Sequence, residues 1–73
     1  MQTYGQKAVG LNFNPSGDKA VSRCKQIFAD AIDLLQELRE NSTSGETTRL
    51  ASIAITEAQG AQMWAVKALT WRN

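Results

Sequence analysis

The chain has 73 residues, a single cysteine, no histidine and a formal net charge of +1. One domain is the most that length holds, an intrachain disulfide is excluded, a zinc site lacks its usual ligands, and the near-neutral charge argues against a long nucleic-acid partner. A chain this short buries only about 60% of the surface its unfolded form exposes, so partner subunits are the expected source of further burial.

Residues 1–12, MQTYGQKAVGLN, hold Gly5 and Gly10 and have weak periodicity. They read as an N-terminal arm, mobile or ordered by a partner, with room for one helical turn. Residues 13–73 read as a helical hairpin domain. It opens on FNPSGD, residues 13–18, which contains the only proline. Ser16 or Asp18 can accept the free N–H groups at the start of a long helix. Val21, Cys24, Phe28, Ala31, Leu35 and Leu38 then follow a 3-4-3-4-3 spacing, and Ile27 and Leu34 widen that stripe to a core-facing breadth. The helix should run to about Glu40. NSTSG, residues 41–45, is a turn by composition, and Thr43 with Glu46 fits a capping box.

A second helix is expected from about Glu46 to Trp71. Its alanines and its larger apolar residues, Leu50, Ile53, Ile55, Val66 and Leu69, surround more than one face. That pattern implies burial on several sides, and hence contacts with other subunits as well as with the first helix. The expected fold is all-α: a two-helix antiparallel hairpin with a short N-terminal arm, assembling into a homo-oligomer.

Two clusters carry chemistry. At the FNPSGD turn a helix N-terminus offers unpaired N–H groups and a positive dipole end, which suit an anion. Pro15 stiffens the turn and Gly17 lets a ligand approach the backbone. Asn14 and Ser16 can donate, and Phe13 can stack on a ring. Lys19 and Lys25 are near enough to reach a phosphate but lie on different helix faces. In the plainer reading, Pro15 and Asp18 only start the helix and Phe13 is a hydrophobic staple. The second cluster is MWAVKALTW, residues 63–71, where Trp64, Lys67 and Trp71 share a helix face. Two indoles around an ammonium form a cation–π group; they can also stack bases and hold a phosphate, or anchor an interface.

No Ser–His or Cys–His pair is available for catalysis, and glycine-rich phosphate loops are absent. Asp30, Asp33, Glu37 and Glu40 read as a solvated helix face. No catalytic residue, metal site or cofactor is therefore expected, and the protein reads as a non-enzyme. Cys24 reads as a small apolar packing group. The lone thiol fits a reducing compartment, no segment reads as a signal peptide, and no apolar run approaches the ~20 residues of a membrane span.

The segments CKQIFADAIDLL, RLASIAIT and above all AQMWAVKALT resemble the small phage anti-CBASS proteins that act as cyclic-nucleotide sponges and end in a segment like MWAVKAIT. The resemblance covers about residues 13–71. It implies a homohexamer of helical hairpins in the cytoplasm of an infected bacterium. It implies binding of cyclic dinucleotides between protomers, and of cyclic trinucleotides at a separate site near a three-fold axis. The ligands are held and not cleaved, so the host's CBASS effector stays off. Neither a DNA or RNA polymer nor a membrane is an expected partner. By resemblance, Phe13 stacks on a base, Lys25 meets a phosphate and Lys67 serves the trinucleotide site. The family carries tyrosine then arginine where this chain has Phe13 and Asn14, so either the NPSG turn does the polar work or the pocket prefers another ligand, with Tyr4 as an alternative aromatic if the arm folds over the site. The competing reading is a structural hairpin that binds a host protein without nucleotide.

Overall fold

The computed structural model describes residues 1–72; Asn73, the last residue of the expected hairpin domain, lies outside the described residues. Three helices follow in order: α1 (Tyr4–Ala8), α2 (Lys19–Asn41) and α3 (Gly45–Thr70). Among the described residues there is no strand, and no helix is long and apolar enough to cross a membrane.

Asp18 starts α2, its carboxylate accepting the Ala20 N–H at 2.8 Å. A three-residue link, Ser42 to Ser44, turns the chain back. The capping box expected from Thr43 and Glu46 is not what forms. Ser44 caps α3, accepting the Thr47 N–H at 3.3 Å, while Glu46 turns forward to Arg49 at 2.7 Å. That guanidinium holds the Glu46 carboxyl below its ordinary range.

The first twelve residues do more than an arm would. Thr3 and Gln6 close a capping box around α1. Gly10, at φ +63°, ends the helix: its N–H reaches the Lys7 carbonyl and the Leu11 N–H reaches that of Gln6, a Schellman closure that a residue with a Cβ rarely permits. α1 then lies on α2. The Gly5 N–H donates to Asp33 Oδ1 at 2.7 Å, and a Cβ on Gly5 would sit 2.1 Å from the Ala29 carbonyl oxygen. From the other side, Gln59 of α3 donates to the Ala8 carbonyl at 3.3 Å. The expectation of a segment mobile or ordered only by a partner is corrected: this segment packs on its own chain.

The core is where these three pieces meet. Val9, Ala29, Ile32 and Ile55 are buried, with Leu11, Phe28, Leu35 and Ala58 against them. Because α1 takes one flank of α2, the buried stripe is rotated relative to the expected one. Val21, Phe28 and Leu35 face inward as expected, joined by Lys25, Ala29 and Ile32. Cys24 is half-buried, and Ile27, Ala31, Leu34 and Leu38 are exposed. α2 thus carries two apolar stripes, one inside the hairpin and one outside it.

Candidate ligand-binding site

The segment between α1 and α2 is two consecutive turns. The Phe13 N–H donates to the Gly10 carbonyl at 2.9 Å, and the Gly17 N–H to that of Asn14 at 3.0 Å. Gly17 takes φ +67°, which suits glycine at the end of such a turn. Pro15 sets φ within it. The polar side chains lock the second turn to α2. Asn14 Nδ2 donates to the Asp18 carbonyl at 2.8 Å and to Ser22 Oγ at 2.9 Å. Its Oδ1 accepts from Ser16 Oγ at 3.0 Å, and that oxygen accepts the Asp18 N–H at 3.2 Å.

These bonds revise the direct roles expected for Asn14 and Ser16. Both amide hydrogens of Asn14 are engaged inside the chain, so its side chain shapes the wall and does not donate outward. Ser16 likewise holds the turn together. Gly17 serves the turn's geometry, and nothing stands within 4 Å of where its Cβ would be.

Lys25 is 6% exposed. Its ammonium donates to the carbonyls of Gly10 (3.0 Å) and Phe13 (2.5 Å), and lies 5.5 Å from the centroid of the Phe13 ring. The expected free phosphate ligand is thus also the pin that fixes the first turn to α2. Among the described residues the one ion pair is Arg49–Glu46, so none of their carboxylates pairs with this buried cation. An ammonium has three donors; two go to carbonyls. Phe13 remains 73% exposed. It does not pack down as a staple on α2, and its ring is open to a ligand.

Phe13, Asn14, Pro15, Ser16 and Lys25 border a depression of about 270 Å³. Its opposite wall is Val66 and Thr70, near the end of α3, with Val21 between. The wall on α3 was missed by sequence reasoning. The i, i+4 pair Val66/Thr70 sits inside the MWAVKALTW segment, where the tryptophans dominate the pattern. Tyr4 does not join this site. Its hydroxyl accepts from Arg39 Nη2 at 3.3 Å and the guanidinium stands 5.7 Å from its ring. Arg39 is fourteen residues along α2 from Lys25, about 21 Å at 1.5 Å per residue. Lys19 does not line the Phe13 depression either; with Arg23 it borders a groove on the other side of α2.

The second cluster forms as the spacing requires. The Lys67 ammonium lies 5.5 Å from the Trp64 ring and 5.9 Å from the Trp71 ring. Gly60, Met63, Trp64 and Lys67 border a separate depression of about 310 Å³. Met63, Trp64 and Trp71 are all well exposed. The end of α3 therefore presents one face to the Phe13 turn and another to this cationic, aromatic patch.

The family model described as the Acb2/Tad1 hairpin domain matches residues 6–70. No curated protein and no solved structure matches the chain.

Proposed function

The chain belongs to the Acb2/Tad1 hairpin family of anti-CBASS cyclic-nucleotide sponges, and on that premise we propose that it sequesters cyclic oligonucleotide second messengers without cleaving them. In this reading it acts for a phage in the cytoplasm of its bacterial host, where lowering the free messenger leaves the CBASS effector off. Cyclic dinucleotides occupy the depression beside Phe13, and cyclic trinucleotides the patch around Lys67. The chain works as a homo-oligomer, a hexamer in keeping with the resemblance, so that the open depression on one protomer is completed by another.

The observation that carries this reading is the pairing of a buried ammonium, which has no ion-pair partner among the described residues, with an exposed aromatic ring at one depression. A buried cation held by two carbonyl dipoles and one ring still favours an anion beside it. A free ring face offers stacking of about 1–3 kcal/mol per base. Stacking and charge are what a nucleotide phosphate diester needs to be held.

The test is recovery of ligand. Purified protein is incubated with a cyclic dinucleotide, filtered free of unbound ligand and heated. Intact dinucleotide in the heated fraction supports sequestration. Linear products would mean cleavage, and an empty fraction across a nucleotide panel would turn the search to a host protein partner.

A further inference from the structure

α2 has three flanks, and its own chain covers two. α3 packs along the middle, and α1 covers the flank of Ala29 and Asp33. The remaining flank carries Ala20, Cys24, Ile27, Ala31, Leu34 and Leu38, spaced 4-3-4-3-4. Ile27, Leu34 and Leu38 are 58%, 68% and 46% exposed. This is the seam of a helix that pairs with another helix of similar length. We propose that its occupant is the same flank of a second copy, laid antiparallel, with the two-fold axis near residue 29.

Three features of the seam select this occupant and this register. Size is the first. Antiparallel pairing sets Ala20 against Leu38, Cys24 against Leu34 and Ile27 against Ala31 of the second copy, so each layer joins a small side chain to a large one. Moving the second copy by one heptad opposes Ile27 to Leu38 and Cys24 to the polar Asn41. Parallel pairing in register opposes like with like, leaving gaps at the alanines and crowding at the leucines.

Shape is the second. Ala20, Cys24 and Ile27 form the floor of a groove of about 460 Å³ closed on one side by Leu69. Leu34 and Leu38 lie exposed at the other end of the same flank. An antiparallel mate brings its two leucines into that groove, twice by symmetry. Charge is the third. The groove is rimmed by Lys19 and Arg23, while Glu37 lies beside the two leucines. Glu37 of the second copy then meets Arg23, and the antiparallel register shifted by one heptad would set Glu37 near Asp30. In the proposed register Asp30 approaches its own symmetry mate, and its carboxylate accepts from Gln26 at 2.7 Å.

This inference rests on the homo-oligomer of the proposed function and assigns one of its interfaces. It is tested by thiol cross-linking of the full chain, with nucleotide binding measured separately. Leu34→Cys is oxidised, digested with trypsin and mapped. Positions 24 and 34 fall in different tryptic peptides. They lie about 15 Å apart on one helix, so a bond between them joins two chains. The expected result is a covalent dimer linking Cys24 of one chain to position 34 of the other, and no dimer from the unsubstituted chain. In a second variant, Cys24→Ser with Ala20→Cys and Leu38→Cys, the expected link joins positions 20 and 38. A Cys24–Cys24 dimer from the unsubstituted chain, a 34–34 link, or failure of both variants to cross-link would overturn the register. Nucleotide binding without the links would leave the sponge reading standing and remove this interface; the links without nucleotide binding would do the opposite.

Discussion

The Lys25 ammonium donates to the backbone carbonyl of Phe13 and lies 5.5 Å from the centre of that residue's ring. One side chain thereby sets the position of the stacking ring and supplies the charge beneath it. Affinity and the order of the N-terminal turns are coupled through this contact.

Lys25→Met tests that coupling. The sequence alone suggests a variant that loses affinity and nothing else. The structure alters this, because removing the ammonium leaves the Phe13 carbonyl without its donor. A part-buried acceptor left unpaired costs up to about 1–3 kcal/mol, roughly 4–8 °C in Tm per kcal/mol for a domain of this size. Both melting temperature and affinity should fall, measured at one fixed protein concentration. A variant with the parent's Tm and affinity would remove Lys25 from both roles.

Phe13→Ala separates the two effects. The ring is 73% exposed, so its loss should leave the melting temperature of the free protein nearly unchanged. Loss of one stacking contact of about 1–3 kcal/mol corresponds to roughly fivefold to more than a hundredfold in Kd. Titration of a cyclic dinucleotide checks this; unchanged Kd would mean that the ring does not stack.

Lys67→Gln should discriminate between ligands. Lys67 sits between two indoles and borders a depression separate from the one beside Phe13. Dinucleotide affinity is expected to stay within about twofold. Trinucleotide affinity is expected to fall at least tenfold, the loss of a charge-assisted contact of about 1.5–3 kcal/mol. Equal loss of both ligands would merge the two sites.

Gly5→Ala addresses the docking of α1. The added methyl would stand 2.1 Å from the Ala29 carbonyl oxygen, and backbone at that distance has to shift. Overpacking of this kind costs about 1–3 kcal/mol. Hydrogen exchange should accelerate at residues 4–11 more than in the middle of α3. Protection equal to that of the parent would mean that α1 does not depend on this approach.

Much of this was legible in the sequence because local rules dominate long helices. The run from Val21 to Leu38 and the alanine-rich run after NSTSG each bring helix-period apolar patterns, and both helices end within a residue or two of where composition puts them. Asp18 was one of two caps, with Ser16, that the place ahead of that run offered, and it is the one that forms. The partition of α2 between inside and outside did not follow. Cys24, Ile27, Ala31, Leu34 and Leu38 look as core-like as Val21 and Phe28 until α1 is known to occupy one flank, and α1 is too short and weakly patterned to announce its docking. The Phe13–Lys25 contact shows the same limit. Residue types indicated a ring and a cation at one turn, but only the fold reveals that the ammonium holds the backbone of the turn and that Asn14 and Ser16 are engaged within it.

The most direct test of sequestration is calorimetric titration of the unsubstituted protein with cyclic dinucleotides and trinucleotides, each ligand recovered afterwards by heating. Saturable binding of at least one cyclic dinucleotide, with the ligand returned intact, is the predicted result. Absence of heat across the whole panel, or return of linear products, would contradict it.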